Sequence, residues 1–269
     1  MKLKYLIITL FLSVCSIANG QTEVDLLDAI DFNDTTLIGS EKLTSGIMDY
    51  IASCQDTTKS DREQVYDVIL AVDNVLAHCP DFEMYKFVYQ YLIYGFSELG
   101  VNQLVDYMMR LPYVETLGLN EDEFDELNKI AESYCRVKIG SKAPDIQTVT
   151  IDGNEFDLEK INSEYTIMMF WSANCPHCRE LIKEIGTYLI DKQDVAFVNV
   201  CVLGNEKTVR KLIRKSKING FTIFDGEEWN SKIVNDYAVD MMPSVFLLDK
   251  DKIIIAKPFS IEDVKEIIK

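Results

Sequence analysis

Met168-Met169-Phe170-Trp171-Ser172-Ala173-Asn174-Cys175-Pro176-His177-Cys178 is the stretch that decides the fold. The bulky apolar residues at its start read as the end of a strand buried on both faces. Ser172 to Asn174 turn the chain, and Pro176 suits the first position of a helix, where the missing N–H costs nothing. Cys175 therefore stands at a helix N-terminus, with Cys178 one turn inside. A thiolate at that point meets the positive end of the helix dipole and free backbone N–H groups, which make Cys175 the expected nucleophile. The spacing lets the second sulfur reach the first, so that Cys178 can resolve a mixed disulfide. A charged His177 between them would stabilise the thiolate further.

Downstream of Gly140 the β-rich runs Ile146–Ile151, Tyr165–Phe170, Val195–Val202, Ser244–Leu248 and Ile253–Ala256 alternate with helical segments at Cys178–Leu189, Glu206–Lys215, Trp229–Tyr237 and Ser260–Ile268. Strand and helix in alternation, then two strands joined by Asp249-Lys250-Asp251, predict an α/β fold in which helices flank a mixed sheet. Upstream, from about Ser40 to Lys138, apolar residues recur at three and four. Val65, Ile69, Val72 and Leu76 do so, as do Phe87, Tyr91 and Tyr94, and an all-α domain of four or five helices is expected. Asn120 with Glu123, and Ser260 with Asp263, have capping-box spacing. Gln21 to Gly39 is acidic and weakly periodic, and no element is assigned to it.

The N-terminus has Lys2 and Lys4 ahead of an apolar run from Tyr5 to Val14, with Ala18 and Gly20 at signal-peptidase spacing. Residues 1–20 are therefore read as a signal peptide, 21–139 as the helical domain and 140–269 as the α/β domain. Leu12-Ser13-Val14-Cys15 has a lipobox-like outline, but the bulk of Val14 argues against a lipid anchor at Cys15. The location implied is periplasmic or secreted by bacterial-type export, with no transmembrane segment after cleavage. Net charge is -17, concentrated in residues 21–139, where 23 acidic residues face 8 basic ones. That balance excludes a nucleic-acid partner, which would need a basic footprint. Lys207, Arg210, Lys211 and Arg214 share one helical face and offer a docking surface for an acidic partner, with a solvated face as the plainer reading.

Gly140-Ser141-Lys142-Ala143-Pro144-Asp145, Phe170-Trp171 ahead of Cys-Pro-His-Cys, and Met242-Pro243-Ser244 ahead of a strand together resemble the extracytoplasmic TlpA/ResA-like branch of the thioredoxin fold. The resemblance implies a thioredoxin-like thiol-disulfide oxidoreductase. Cys175 and Cys178 would be catalytic, with Pro176, His177 and Trp171 supporting them. It also implies that Pro243 is a cis-proline beside the dithiol and that Met242 helps bind substrate backbone. The partners implied are protein thiols or disulfides and a redox partner protein. No cofactor is expected beyond a redox-active Cys175–Cys178 disulfide, and no metal. The helical half, through Phe82 to Ser97, resembles a domain of unknown function that precedes such domains in some secreted bacterial proteins.

Departures from the family pattern bear on mechanism. Thioredoxins carry a buried aspartate six residues before the first cysteine, where this chain has Met169. ResA-like proteins place a glutamate three residues after the second cysteine, where this chain has Leu181, with Glu180 one place early. Neither usual proton acceptor for Cys178 is present. The Pro-His dipeptide resembles that of DsbA-type oxidants, whereas the framework resembles reductases, and the reading adopted is reductase or general exchange. The alternatives are a static disulfide, a partner-binding module, and copper handling by Cys175, His177 and Cys178. The proline and threonine that peroxiredoxins keep before their reactive cysteine are absent. Cys54 and Cys79 close successive predicted helices and are too far apart to pair. Cys135, in mid-helix, and Cys201, in a strand, read as small buried hydrophobes.

Overall fold

The computed structural model describes residues 23–114, 117–216 and 218–268. The segment read as a signal peptide, and Cys15 within it, lie outside these residues. Two units emerge, Met1–Glu132 and Ser133–Lys269.

The first unit is helical. Its helices are α1 (Glu23–Asp28), α2 (Glu41–Ser53), α3 (Asp61–Ala77), α4 (Phe82–Glu98), α5 (Asn102–Met108) and α6 (Glu121–Arg136), the last of which runs on into the second unit. Starts follow side-chain caps: Ser40 caps α2, Ser60 and Glu63 form a capping box on α3, and Asp81 caps α4. The expected box on α6 is present, Asn120 and Glu123 each accepting the other's backbone N–H.

The buried faces match the expected stripes only in part, Val72 and Leu76 of α3 being inward as expected. On α3 the inward residues are Val68, Ala71, Val72, Val75 and Leu76, while Val65 and Ile69 are half-buried. On α4 they are Met84, Val88, Tyr89, Leu92, Ile93 and Phe96, and Phe87, Tyr91 and Tyr94 are half-buried. A helix apolar on most sides supports more than one stripe, so spacing alone does not choose the inner one. The acidic stretch also folds: α1 forms, Asp34 caps a 3-10 turn at Thr35–Leu37, and Leu27 and Phe32 are buried.

In the second unit, β1 (Gln147–Val149) and β2 (Glu155–Asp157) form an antiparallel pair. The main sheet comprises β3 (Tyr165–Ser172), β4 (Val195–Leu203), β5 (Phe221–Ile223), β6 (Ser244–Asp249) and β7 (Ile254–Ala256), in the order β5-β4-β3-β6-β7. β4 runs parallel to both β3 and β5, whereas β6 runs antiparallel to β3 and β7. Its helices are α7 (Pro176–Tyr188), α8 (Glu206–Ser216), α9 (Lys232–Asp236) and α10 (Ile261–Ile267). Sequence reading missed β2 and β5; β1 and β7 are as short, but they lie inside the longer β-rich runs Ile146–Ile151 and Ile253–Ala256. The segment read as one helix from Trp229 is a 3-10 turn, Glu228–Asn230, followed by α9.

Alternation along the strands divides the core into two layers. Ile167, Met169 and Trp171 join Cys178, Leu181, Ile182 and Ile185 of α7 on one side, with Val209 of α8 and Ile261 and Val264 of α10. Met168 and Phe170 join Val198, Val200, Tyr237 and Phe246 on the other. Each large apolar side chain so buried contributes about 1.5–3 kcal/mol, and β3, covered on both faces, is held firmly beneath the turn that carries Cys175.

Candidate active site

β3 delivers the site. Pairing with β4 is regular to Trp171 opposite Cys201, then slips, so that Ser172 pairs with Leu203. Beyond the slip, Ser172 organises the turn: its carbonyl accepts the Cys175 N–H at 3.2 Å, and its Oγ accepts the Asn174 N–H at 3.2 Å. The Ala173 N–H donates to Leu203 O at 2.8 Å, which ties the turn to β4.

Cys175 is the N-cap of α7 with Pro176 at the first helical position, and its sulfur accepts the Cys178 backbone N–H at 3.2 Å. The capping role usually filled by a serine or aspartate oxygen here falls to a sulfur. Cys175 is half-buried, whereas Cys178 has no exposed surface. Burial pushes the Cys178 thiol up to about 12. Its hydrogen bond to the Cys175 sulfur adds to the rise, and the Ser172 backbone N–H opposes it. Pro176 and His177 are exposed.

The Met242–Pro243 peptide is cis. Ser244 pairs with Phe170, so Pro243 lies at the end of the sheet that carries Cys175. Met241 is exposed, while the Met242 side chain is half-buried and packs against both apolar layers. Trp171 is fully buried and its Nε1–H donates to Asn199 Oδ1 at 3.2 Å. Sequence reading did not single out Ser172 or Asn199. Asn199 could have been found as a lone polar residue within the apolar run Val195–Leu203.

Met169 and Leu181, at the positions of the two missing carboxylates, are buried apolar residues of the α7 layer. Cys201 is buried in the same layer, whereas Cys135 is half-buried in the last turn of α6 rather than in mid-helix. All six described cysteines are free. Among the described residues no group of three His, Cys, Asp or Glu side chains is arranged to hold a metal ion. On α8, Arg210 is engaged by Glu206 and Asp152, so the basic face reduces to Lys207, Lys211 and Arg214. No described helix is long and apolar enough to cross a membrane.

Residues 139–257 match the AhpC/TSA family. The thiol-disulfide oxidoreductase ResA of Geobacillus thermodenitrificans is 29% identical over 135 residues, covering 48% of this chain and 76% of that one. The C-terminal unit is a thioredoxin-like thiol-disulfide oxidoreductase domain. ResA of Geobacillus kaustophilus is similar to it at 28% identity over 134 residues, covering 48% of this chain and 75% of that protein. A thioredoxin-like protein from Bacteroides caccae matches 93% of this chain and 94% of its own, with a TM-score of 0.60 and 16% identity. That match extends the likeness of fold beyond the oxidoreductase domain to the helical unit.

Proposed function

We propose that the oxidoreductase domain exchanges disulfides with protein substrates through Cys175 and Cys178, as a reductase or general exchanger outside the cytoplasm. The contrast between the two sulfurs carries the reading: one half-exposed at a helix N-terminus, the other buried behind it and touching it through its own N–H. The Cys175 thiolate attacks one sulfur of a substrate disulfide. The substrate S–S bond breaks, a mixed disulfide forms, and one substrate thiolate leaves. Cys178 then loses its proton and attacks Cys175 Sγ, and the second substrate sulfur leaves as a thiolate that takes up a proton. The dithiol has given two electrons and the substrate has become a dithiol. Pro243 and the Met242 backbone would align the substrate strand beside Cys175.

Incubation with a disulfide-bonded protein tests this directly. Wild type reduces it, Cys175→Ser does not, and Cys178→Ser accumulates a covalent complex that thiols release. Activity surviving in Cys175→Ser overturns the assignment. Equilibration of the pair with glutathione gives the direction: below about -250 mV supports a reductase, and about -120 to -180 mV replaces it with an oxidant or isomerase.

A further inference from the structure

We propose that Asn199 is a positioning residue for the dithiol, acting through Trp171; the inference rests on the functional reading above. Asn199 is fully buried in β4, opposite Met169 of β3 on one side and Thr222 of β5 on the other. Its position in the alternation places it between Phe197 and Cys201, on the face that carries Trp171 and Cys178.

A primary amide in such a layer costs free energy unless its hydrogen bonds are made, and here they are. Oδ1 accepts from Trp171 Nε1 at 3.2 Å, and Nδ2 donates at 3.0 Å to both Phe221 O and Thr222 Oγ1. The arrangement fixes the amide's sense. Turned over, it would set an N–H against the indole N–H and an oxygen against the Phe221 carbonyl. The Trp171 ring is thus anchored to β4 and β5 at one defined point.

Trp171 is the last residue before the slip in register, so its placement decides where Ser172 sits. Ser172 touches the dithiol directly, its carbonyl holding the Cys175 N–H at 3.2 Å. Displacement of Trp171 therefore changes how well the reduced sulfurs are held, relative to the disulfide. Asn199 controls that displacement from a position that touches neither cysteine in the hydrogen-bond network described.

The equilibrium constant of the dithiol with glutathione distinguishes this role from simple support of the fold. Measured on the folded full chain, Trp171→Phe and Asn199→Ala should each shift it threefold or more in the same direction. The double variant should go no further than the larger single shift, because both changes break one connection. A shift below threefold in either variant overturns the proposal, whatever happens to Tm, as does a double shift equal to the product of the two. If Asn199→Ala does not fold, Trp171→Phe, which keeps an aromatic ring and removes the N–H, decides alone by the same threshold. A wild-type chain with no reversible dithiol overturns the functional reading and this inference together. A wild type that exchanges, with variants that match it, removes the inference alone.

Discussion

Across the first turn of α7, the backbone N–H of Cys178 donates to the sulfur of Cys175 at 3.2 Å. The same turn leaves Cys175 half-exposed and hides Cys178 completely. A small alkylating agent should therefore modify Cys175 first in the reduced domain. In Cys175→Ala, Cys178 should react at least tenfold more slowly at pH 9 than an exposed cysteine, because burial still raises its thiol and keeps reagent away from it. Peptide mapping by mass spectrometry after timed alkylation checks both statements. Equal labelling of the two sulfurs in native protein would contradict the geometry.

Alkaline pH should destabilise the reduced chain. Burial raises the thiols of Cys178, Cys201 and Cys79 to about 12, whereas an unfolded chain ionises its cysteines near 8.5. The unfolded state then releases protons first, so the contribution of these thiols is complete below about 8.5 and is lost as pH rises towards 12. Buried Tyr89 and Tyr237, whose hydroxyls burial also raises, act in the same direction. Urea midpoints should fall between pH 8 and pH 10.5, and the fall should be smaller in Cys201→Val, which keeps an apolar side chain and removes one titrating group. An unchanged slope in that variant would show that Cys201 does not titrate on unfolding.

Local chemistry made much of this domain legible before any coordinates. Proline after Cys175, apolar residues before it and a Cys-x-x-Cys spacing leave few places to put the two sulfurs other than at a strand-to-helix turn. Long strands such as Val195–Leu203 carry enough apolar residues to be read. β2 and β5 do not: Glu-Phe-Asp and Phe-Thr-Ile stand in no longer β-rich run and make sense as strands only when a neighbour supplies the hydrogen bonds. The contacts of Ser172 and Asn199 were illegible for a related reason: they join residues on different strands, or across a turn, and no local pattern announces them. On α4 the difficulty was an excess of signal, with aromatic residues on several faces competing for the interior.

The last helix tests capping independently of the redox chemistry. Ser260 Oγ accepts the Asp263 N–H at 3.2 Å, while the Asp263 carboxylate accepts the N–H groups of Ser260 and Phe259 at 2.9 and 3.0 Å. Ser260→Ala removes one half of this box and should cost about 1 kcal/mol. The loss should appear as a lower urea midpoint with the glutathione equilibrium of the dithiol unchanged. A loss below about 0.3 kcal/mol would mean that water replaces the cap at no cost.

Gly204 couples β4 to the active-site turn, and its substitution should damage both stability and exchange. The residue has φ +151, a backbone conformation that side chains with a Cβ rarely adopt, and an added Cβ would come within 2.8 Å of Ala173 Cβ. Ala173 belongs to the turn between Ser172 and Cys175 and donates its N–H to Leu203, the residue before Gly204. Relief of the overlap must therefore push the turn away from β4, or β4 away from the turn, and either motion disturbs the hydrogen bonds that Ser172 makes to Cys175 and Asn174. Gly204→Ala should lose about 1–3 kcal/mol from backbone strain alone and should also slow attack by Cys175 on a substrate disulfide. Gly153→Ala provides the comparison: φ there is +84, but nothing lies within 4 Å of the added Cβ. That variant should lose stability and keep its exchange rate under conditions where it remains folded. Equal rates in the two variants would show that the Gly204–Ala173 approach has no bearing on the dithiol.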